Sequence, residues 1–254
     1  MLHYLRVTFV IAINVIFFML TVFPVSLIVS PLRVDKRLKY TSLFWKYFAI
    51  VLLKTLNANV LKIDLRDEGT KKINNPPGLY ISNHQSLMDI PLLLSVFQNP
   101  PIMKKSILYI PFFGICAYAT GCVCVDRKSH RSRKEALDKA IFRLHNYHRG
   151  LQVYPEGTRN READSPKDLK RIKKPLVTHA YKNNIPVYSV SICGNKGFFD
   201  KDKIINFNKN VGLRITDKIE PKDYKSEEEF IAKCWGEVQG GYKELEGKLN
   251  SDTI

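Results

Sequence analysis

The chain has 254 residues, with 40 Lys+Arg against 24 Asp+Glu for a formal charge of +16. A hydrophobic share of 45% and a charged share of 25% exclude wholesale disorder, and the length fits one large domain or one domain with an appendage. The positive surplus calls for an anionic partner: nucleic acid, a lipid surface or a phosphorylated substrate. The five cysteines, Cys116, Cys122, Cys124, Cys193 and Cys234, lack metal spacing and are too sparse for a disulfide scaffold, so they read as reduced thiols in a cytosol-facing domain.

Val7 to Ser30 carries no charged residue. As a helix it would extend roughly 35 Å, enough to cross a hydrocarbon core of about 30 Å. No small-x-small cleavage site follows, which argues against a signal peptide. Pro24 is expected to kink or break the segment, so a re-entrant helix competes with a spanning one. One Arg precedes the run (Arg6), whereas Arg33, Lys36, Arg37 and Lys39 follow it, which places the remainder on the cytoplasmic face if the segment spans. Tyr40 to Leu56 is aromatic-rich and interrupted by Lys46 and Lys54. It reads as a helix at headgroup level anchored by Trp45 and Tyr47, or as an ordinary amphipathic helix packed on the soluble part.

From Asn57 the pattern is that of an α/β protein. Strands are expected at Leu61–Leu65, Gly78–Ser82, Gly121–Val125, Leu151–Tyr154, Ile185–Ile192 and Gly212–Thr216. Helices are expected at Leu87–Phe97, Ile107–Tyr118 (broken by Pro111 and Gly114), Ser132–His148, Leu176–Asn183 and Ser226–Leu249. The alternation predicts a mostly parallel sheet flanked by helices. Asn160 to Lys174 reads as a charged loop.

Two segments carry chemistry. In the first, a strand ending at Ser82 leads into Asn83-His84-Gln85-Ser86-Leu87-Met88-Asp89. Within one helix His84 and Asp89 would face different ways, about 140° apart. With His84 in the turn before the helix, its ring can fold back on the Asp89 carboxylate, the arrangement of an oriented general base. The chain has no Gly-x-Ser-x-Gly, so such a base would activate a substrate hydroxyl rather than an enzyme nucleophile. In the second, the strand ending at Tyr154 leads into Pro155-Glu156-Gly157-Thr158-Arg159. It presents Glu156 and Arg159 at a strand's C-terminal end, where open α/β sheets take ligands. Gly157 permits close backbone approach, and Arg159 offers a guanidinium fork for phosphate. Either segment alone has a bland reading: a satisfied surface His, or a turn with a surface ion pair.

Together they resemble the glycerolipid acyltransferases, most closely the 1-acylglycerol-3-phosphate (lysophosphatidic acid) acyltransferases. The stretch from Lys104-Lys105 through Pro111, Phe113 and Gly114 to Asp126-Arg127 is similar to the family's second motif, and Ile185-Pro186-Val187 to its fourth. The fourth motif departs from the family pattern: Tyr188 and Ser189 stand where a second proline is usual. The long basic loop ending in Lys173-Lys174-Pro175 also departs. The resemblance implies a membrane-associated helical segment over 1–56 and an acyltransferase domain over 57–254. It implies transfer of a fatty acyl group from acyl-CoA or acyl carrier protein to the 2-hydroxyl of lysophosphatidate, with His84 as base and Asp89 as its orienter. It also implies that Arg159 holds phosphate and that Glu156 meets glycerol hydroxyls or positions Arg159. Gly157, Thr158 and Asn83 join the substrate site, with Arg127 and Lys105 as further phosphate contacts. No metal or cofactor is expected beyond the thioester co-substrate.

Other readings stay open. The acceptor can be a different lysophospholipid. The basic run Asp126–Lys134 reads as a surface facing anionic lipid or the phosphates of coenzyme A; a non-catalytic basic protein on a membrane surface or nucleic acid is the competing reading, although no nucleic-acid fold motif accompanies the run. His145 and His148 are spaced for a metal on one helix face but lack a third ligand, Cys122 and Cys124 read as packing in a strand, and His3, His130 and His179 receive no role.

Overall fold

The computed structural model describes residues 2–72, 76–147, 149–160, 165–198 and 205–251. The apolar N-terminus forms one continuous helical rod, α1 (Leu2–Phe17), a π-turn (Phe18–Val22) and α2 (Phe23–Val29). Pro24 neither breaks nor ends it. The Phe23 N–H reaches back five residues to the Phe18 carbonyl. That wider turn takes up the register at the point where proline removes a donor. α3 (Val34–Thr55) returns antiparallel to the rod. The two are joined by Asn14 Nδ2 donating to Thr55 Oγ1 at 2.8 Å. α3 is a single long helix rather than one beginning at Tyr40. Trp45, expected at the lipid interface, is instead buried in an aromatic cluster with Phe18, Phe48 and Phe113, whereas Tyr47 is exposed.

The remainder alternates strands and helices: β1 (Asn59–Asp64), α4 (Glu68–Lys72), β2 (Gly78–Ser82), α5 (Asp89–Val96), β3 (Ile102–Lys104), α6 (Phe113–Ala119), β4 (Val123–Val125), α7 (His130–Asn146), β5 (Gly150–Val153), α8 (Pro175–Lys182), β6 (Val187–Cys193), β7 (Asn210–Ile215) and α9 (Glu227–Ser251). The main sheet has the order β1-β7-β6-β2-β5, and only the β6–β7 pairing is antiparallel. The strand expected at Gly121–Val125 does not join it. Its last three residues form β4, which pairs with β3 in a separate two-stranded sheet.

β2 and β6 are buried along their whole length because helices cover both faces. Side-chain alternation divides the core in two. Leu79 and Ile81 join Val177, Phe230 and Trp235 under α7, α8 and α9. Tyr80, Tyr188, Val190 and Ile192 join Leu53, Leu56, Leu92 and Phe97 under α3 and α5. The departure at Tyr188 and Ser189 now has a physical reason. Tyr188 stacks on Tyr80 at 4.6 Å, and Ser189 Oγ donates to the Cys234 carbonyl of α9 at 2.7 Å.

Candidate active site

β2 and β5 are adjacent and parallel, in register from Gly78↔Gly150 to Ile81↔Val153. Their C-terminal ends therefore emerge side by side, and so do the turns that follow them. The turns are bonded to each other twice. The Asn160 N–H donates to the His84 carbonyl at 2.7 Å, and the His84 N–H faces Glu156 Oε1 at 3.4 Å.

His84 precedes α5, and Asp89 is that helix's first residue. The ring folds back with Nδ1 2.6 Å from Asp89 Oδ2. Asp89 is fully buried. Its carboxylate also accepts from the backbone N–H groups of Gln85 (2.7 Å) and Ser86 (3.1 Å) and from the Asn195 side-chain amide. A carboxylate facing Nδ1 makes that nitrogen the donor and leaves the lone pair of the neutral ring on Nε2. Tyr154 stacks on the face of the ring, with centroids 4.2 Å apart.

His84 lines a cavity of about 1220 Å³. Lys104, Arg127 and Arg159 line it, with Arg133 and Lys134 from α7 and Lys167 and Lys173 from the loop before α8. No Asp or Glu is among the described lining residues. Ile102, Met103, Val125, Leu137, Val153 and Val177 supply an apolar wall. Burial, and then the neighbouring charges of Arg127, Arg133 and Lys167, push the Lys173 ammonium below its ordinary pKa. Gly157 lies at φ +71° under the Lys173 side chain, where any Cβ would meet the Lys173 Cε.

A profile of the acyltransferase family matches residues 64–193, which takes in both turns and the strands that carry them. The chain belongs to the acyltransferase family. It is similar to the 1-acyl-sn-glycerol-3-phosphate acyltransferase of Saccharomyces cerevisiae, 28% identical over 73% of this chain and 62% of that protein. It is also similar to that of Borreliella burgdorferi, 30% identical over 59% of this chain and 60% of that protein. The matches thus span about three fifths of those relatives' length. The crystal structure of the 1-acyl-sn-glycerophosphate (LPA) acyltransferase PlsC from Thermotoga maritima superposes with a TM-score of 0.72 at 26% identity, covering 95% of this chain and 98% of that one. The α/β fold with a mainly parallel sheet is shared with it.

Within this acyltransferase fold, His84, Gly157, Thr158, Arg159 and Arg127 all line the cavity. Three expected residues are placed otherwise. Asn83 is fully buried, and its amide brackets β6, donating to the Ile192 carbonyl at 2.8 Å and accepting from the Ile192 N–H at 2.9 Å. Its side-chain amide is thus engaged with the scaffold. Lys105 is exposed in the 3-10 turn Lys105–Tyr109, outside the cavity lining; Lys104, the end of β3, lines it instead. Glu156 is buried behind the wall, with Oε1 toward the His84 N–H and Oε2 unpartnered, and is not among the residues lining the cavity. Burial raises its carboxyl to about 7.

The backbone N–H groups of the His84 turn are engaged: His84 with Glu156, Gln85 and Ser86 with Asp89. Sequence reasoning missed Tyr154, Asn195, Lys104, Arg133, Lys167 and Lys173. Tyr154 and Lys173 carried a signal, since each adjoins a motif already singled out. Arg161 to Asp164 and His148 lie outside the described residues. His145 and His179 meet, Nε2 to Nε2 at 3.0 Å, as a surface contact between α7 and α8. Among the described residues no group of three or more His, Cys, Asp or Glu is placed to hold a metal.

Proposed function

We propose that the chain moves a fatty acyl group from a thioester donor, acyl-CoA or acyl carrier protein, to the 2-hydroxyl of lysophosphatidate, forming phosphatidate. His84 Nε2 takes the hydroxyl proton. The alkoxide attacks the thioester carbonyl, the C–S bond of the tetrahedral intermediate breaks, and the leaving thiolate takes the proton back from the imidazolium. Asp89 holds the tautomer and stabilises the charged ring. Arg159 and Arg127 hold the acceptor phosphate. The cationic side chains lining the cavity supply the charge that stabilises the oxyanion, a task the engaged N–H groups of the His84 turn cannot perform.

The observation that carries this reading is the His84–Asp89 pair, its carboxylate fully buried, opening into a cavity rich in cations and with no carboxylate among its described lining residues. We place the reaction at a membrane, with residues 57–254 on the cytoplasmic face. Leu2–Val29 is long and apolar enough to cross one, and only 22% of its most apolar window is buried, too little for the core helix of a soluble protein. Lys167 and Lys173, drawn from the unusual loop, favour a second acceptor reading within the family, a different lysophospholipid headgroup.

The test is incubation of membranes with labelled acyl-CoA and a panel of lysolipids, comparing wild type with His84→Ala and Arg159→Ala. Transfer lost in the first, with a raised acceptor KM in the second, is expected. Unchanged transfer in His84→Ala would remove the mechanism, and salt-sensitive binding without transfer would mark a non-catalytic protein.

A further inference from the structure

Between the cavity and the N-terminal rod the chain makes a short, rigid turn with an apolar tip. Tyr109 is 75% exposed, Ile110 50% and Phe112 55%, three large apolar side chains within four residues. Such a cluster exposed on one turn marks an interaction surface rather than chance. The turn is stiff. Ile110 N–H donates to the Ile107 carbonyl at 3.2 Å, and Gly114 N–H to the Ile110 carbonyl at 2.8 Å. Gly114 packs so closely on the 3-10 turn that any Cβ would collide with the Leu108 carbonyl. Phe112 is held at φ +60°, ψ −45°, a conformation residues other than glycine rarely adopt. Strain of this kind persists only where the surroundings enforce it, and here it turns an aromatic ring outward.

Two contacts say what the tip faces. The Phe112 ring meets the Phe23 ring of α2 at 5.4 Å, edge to face, so the tip continues the surface of the apolar rod, on which Leu20 and Ile28 are also exposed. On its other side, Ile107 of the 3-10 turn that leads into the tip lines the cavity, together with Lys104 at the end of β3 and with Leu87, which is itself exposed.

We propose that the Tyr109–Phe112 turn is a wedge that enters the acyl layer of a bilayer beside α2, holding the cavity entrance against the membrane so that a lipid substrate reaches His84 without crossing water. The proposal rests on the membrane-association reading above. It adds a point of contact outside the Leu2–Val29 rod, made by a turn that continues from the cavity wall at Ile107.

The test uses the full chain in vesicles of phosphatidylglycerol and phosphatidylcholine. A nitroxide is attached at Ile110→Cys or, as a control, at Lys243→Cys on α9; the five native cysteines are buried or half-buried and label slowly. The label at 110 should collide preferentially with oxygen, which concentrates in lipid, and the label at 243 with an aqueous nickel chelate. A Tyr109→Asp/Ile110→Asp variant should partition to vesicles at least about tenfold more weakly. It should keep its thermal midpoint and its transfer rate to a water-soluble short-chain acceptor. Vesicle-bound protein whose 110 label is as nickel-accessible as the 243 label would overturn the wedge alone. Wild-type protein that does not bind vesicles would overturn the membrane reading and the wedge with it.

Discussion

Tyr154 stacks on the His84 imidazole, with the rings 22° from parallel and their centroids 4.2 Å apart. The two residues are 70 positions apart in sequence and meet because β2 and β5 are neighbours. With Asp89 holding Nδ1 from one side, the stack fixes the remaining freedom of the ring, so Nε2 faces the cavity in one orientation.

Replacing the base should cost most. His84→Ala is expected to lower transfer by roughly 10²–10⁴-fold, the usual worth of a positioned general base. Asp89→Asn should lower it as well, because an amide can donate to Nδ1 and drive the ring proton onto Nε2. Initial rates on folded protein, checked by circular dichroism, test both; a fully active Asp89→Asn would show that the tautomer is irrelevant.

The Tyr154 hydroxyl is buried without a hydrogen-bond partner. Tyr154→Phe should therefore keep activity and be neutral or more stable, since an unpaired buried hydroxyl costs ~1–3 kcal/mol. Tyr154→Ala should lose the stack, with a destabilisation of about 3 kcal/mol and a fall in kcat. Thermal melts and kinetics on the pair separate the ring's part from the hydroxyl's.

Glu156 gives a pH dependence with a definite sign. Burial lifts its carboxyl from the ordinary 4.5 to about 7 in the folded protein. The folded protein thus holds the proton more tightly than the unfolded chain. The associated stability is complete below the unfolded value and is lost as pH rises through about 7, up to roughly 3 kcal/mol in all. Wild type should lose thermal midpoint between about pH 5 and pH 8 more steeply than Glu156→Gln. Parallel slopes would show that the carboxyl ionises without penalty.

Asn83→Ala should act on stability and not on substrate affinity. It removes both bonds to Ile192 and strands a backbone donor and acceptor in a fully buried place, a loss of about 2–4 kcal/mol. Denaturation midpoints and acceptor KM together decide the matter: a raised KM at unchanged stability would return Asn83 to the substrate site.

Much of the site was legible along the chain. The turn residues His84, Asp89, Gly157 and Arg159 follow apolar runs short enough to be strands, and a strand's end is where this architecture exposes side chains. What failed to show was side-chain direction. Lys104 and Lys105 are equivalent as text, but the end of β3 puts one in the cavity and the 3-10 turn puts the other in water. Trp45 fits an interfacial anchor by composition, yet α3 turns it onto Phe18 and Phe113. Asn83 neighbours the base and still faces β6, because the chain leaves β2 beside its neighbour β6 and the amide there meets the Ile192 backbone.

Local pattern alone supplied most of the strands and helices and the chemical inventory: alternation, helical spacing and turn residues act over a few positions, and each is written in order along the chain. Strand order is not. That β2 lies between β6 and β5, and so brings the His84 turn to the Arg159 turn, follows from packing helices on both faces of one sheet, a balance struck among residues more than a hundred positions apart. The folded arrangement also decided that Glu156 is buried and that Tyr109 and Phe112 are displayed, since burial belongs to the neighbours a residue acquires rather than to the residue.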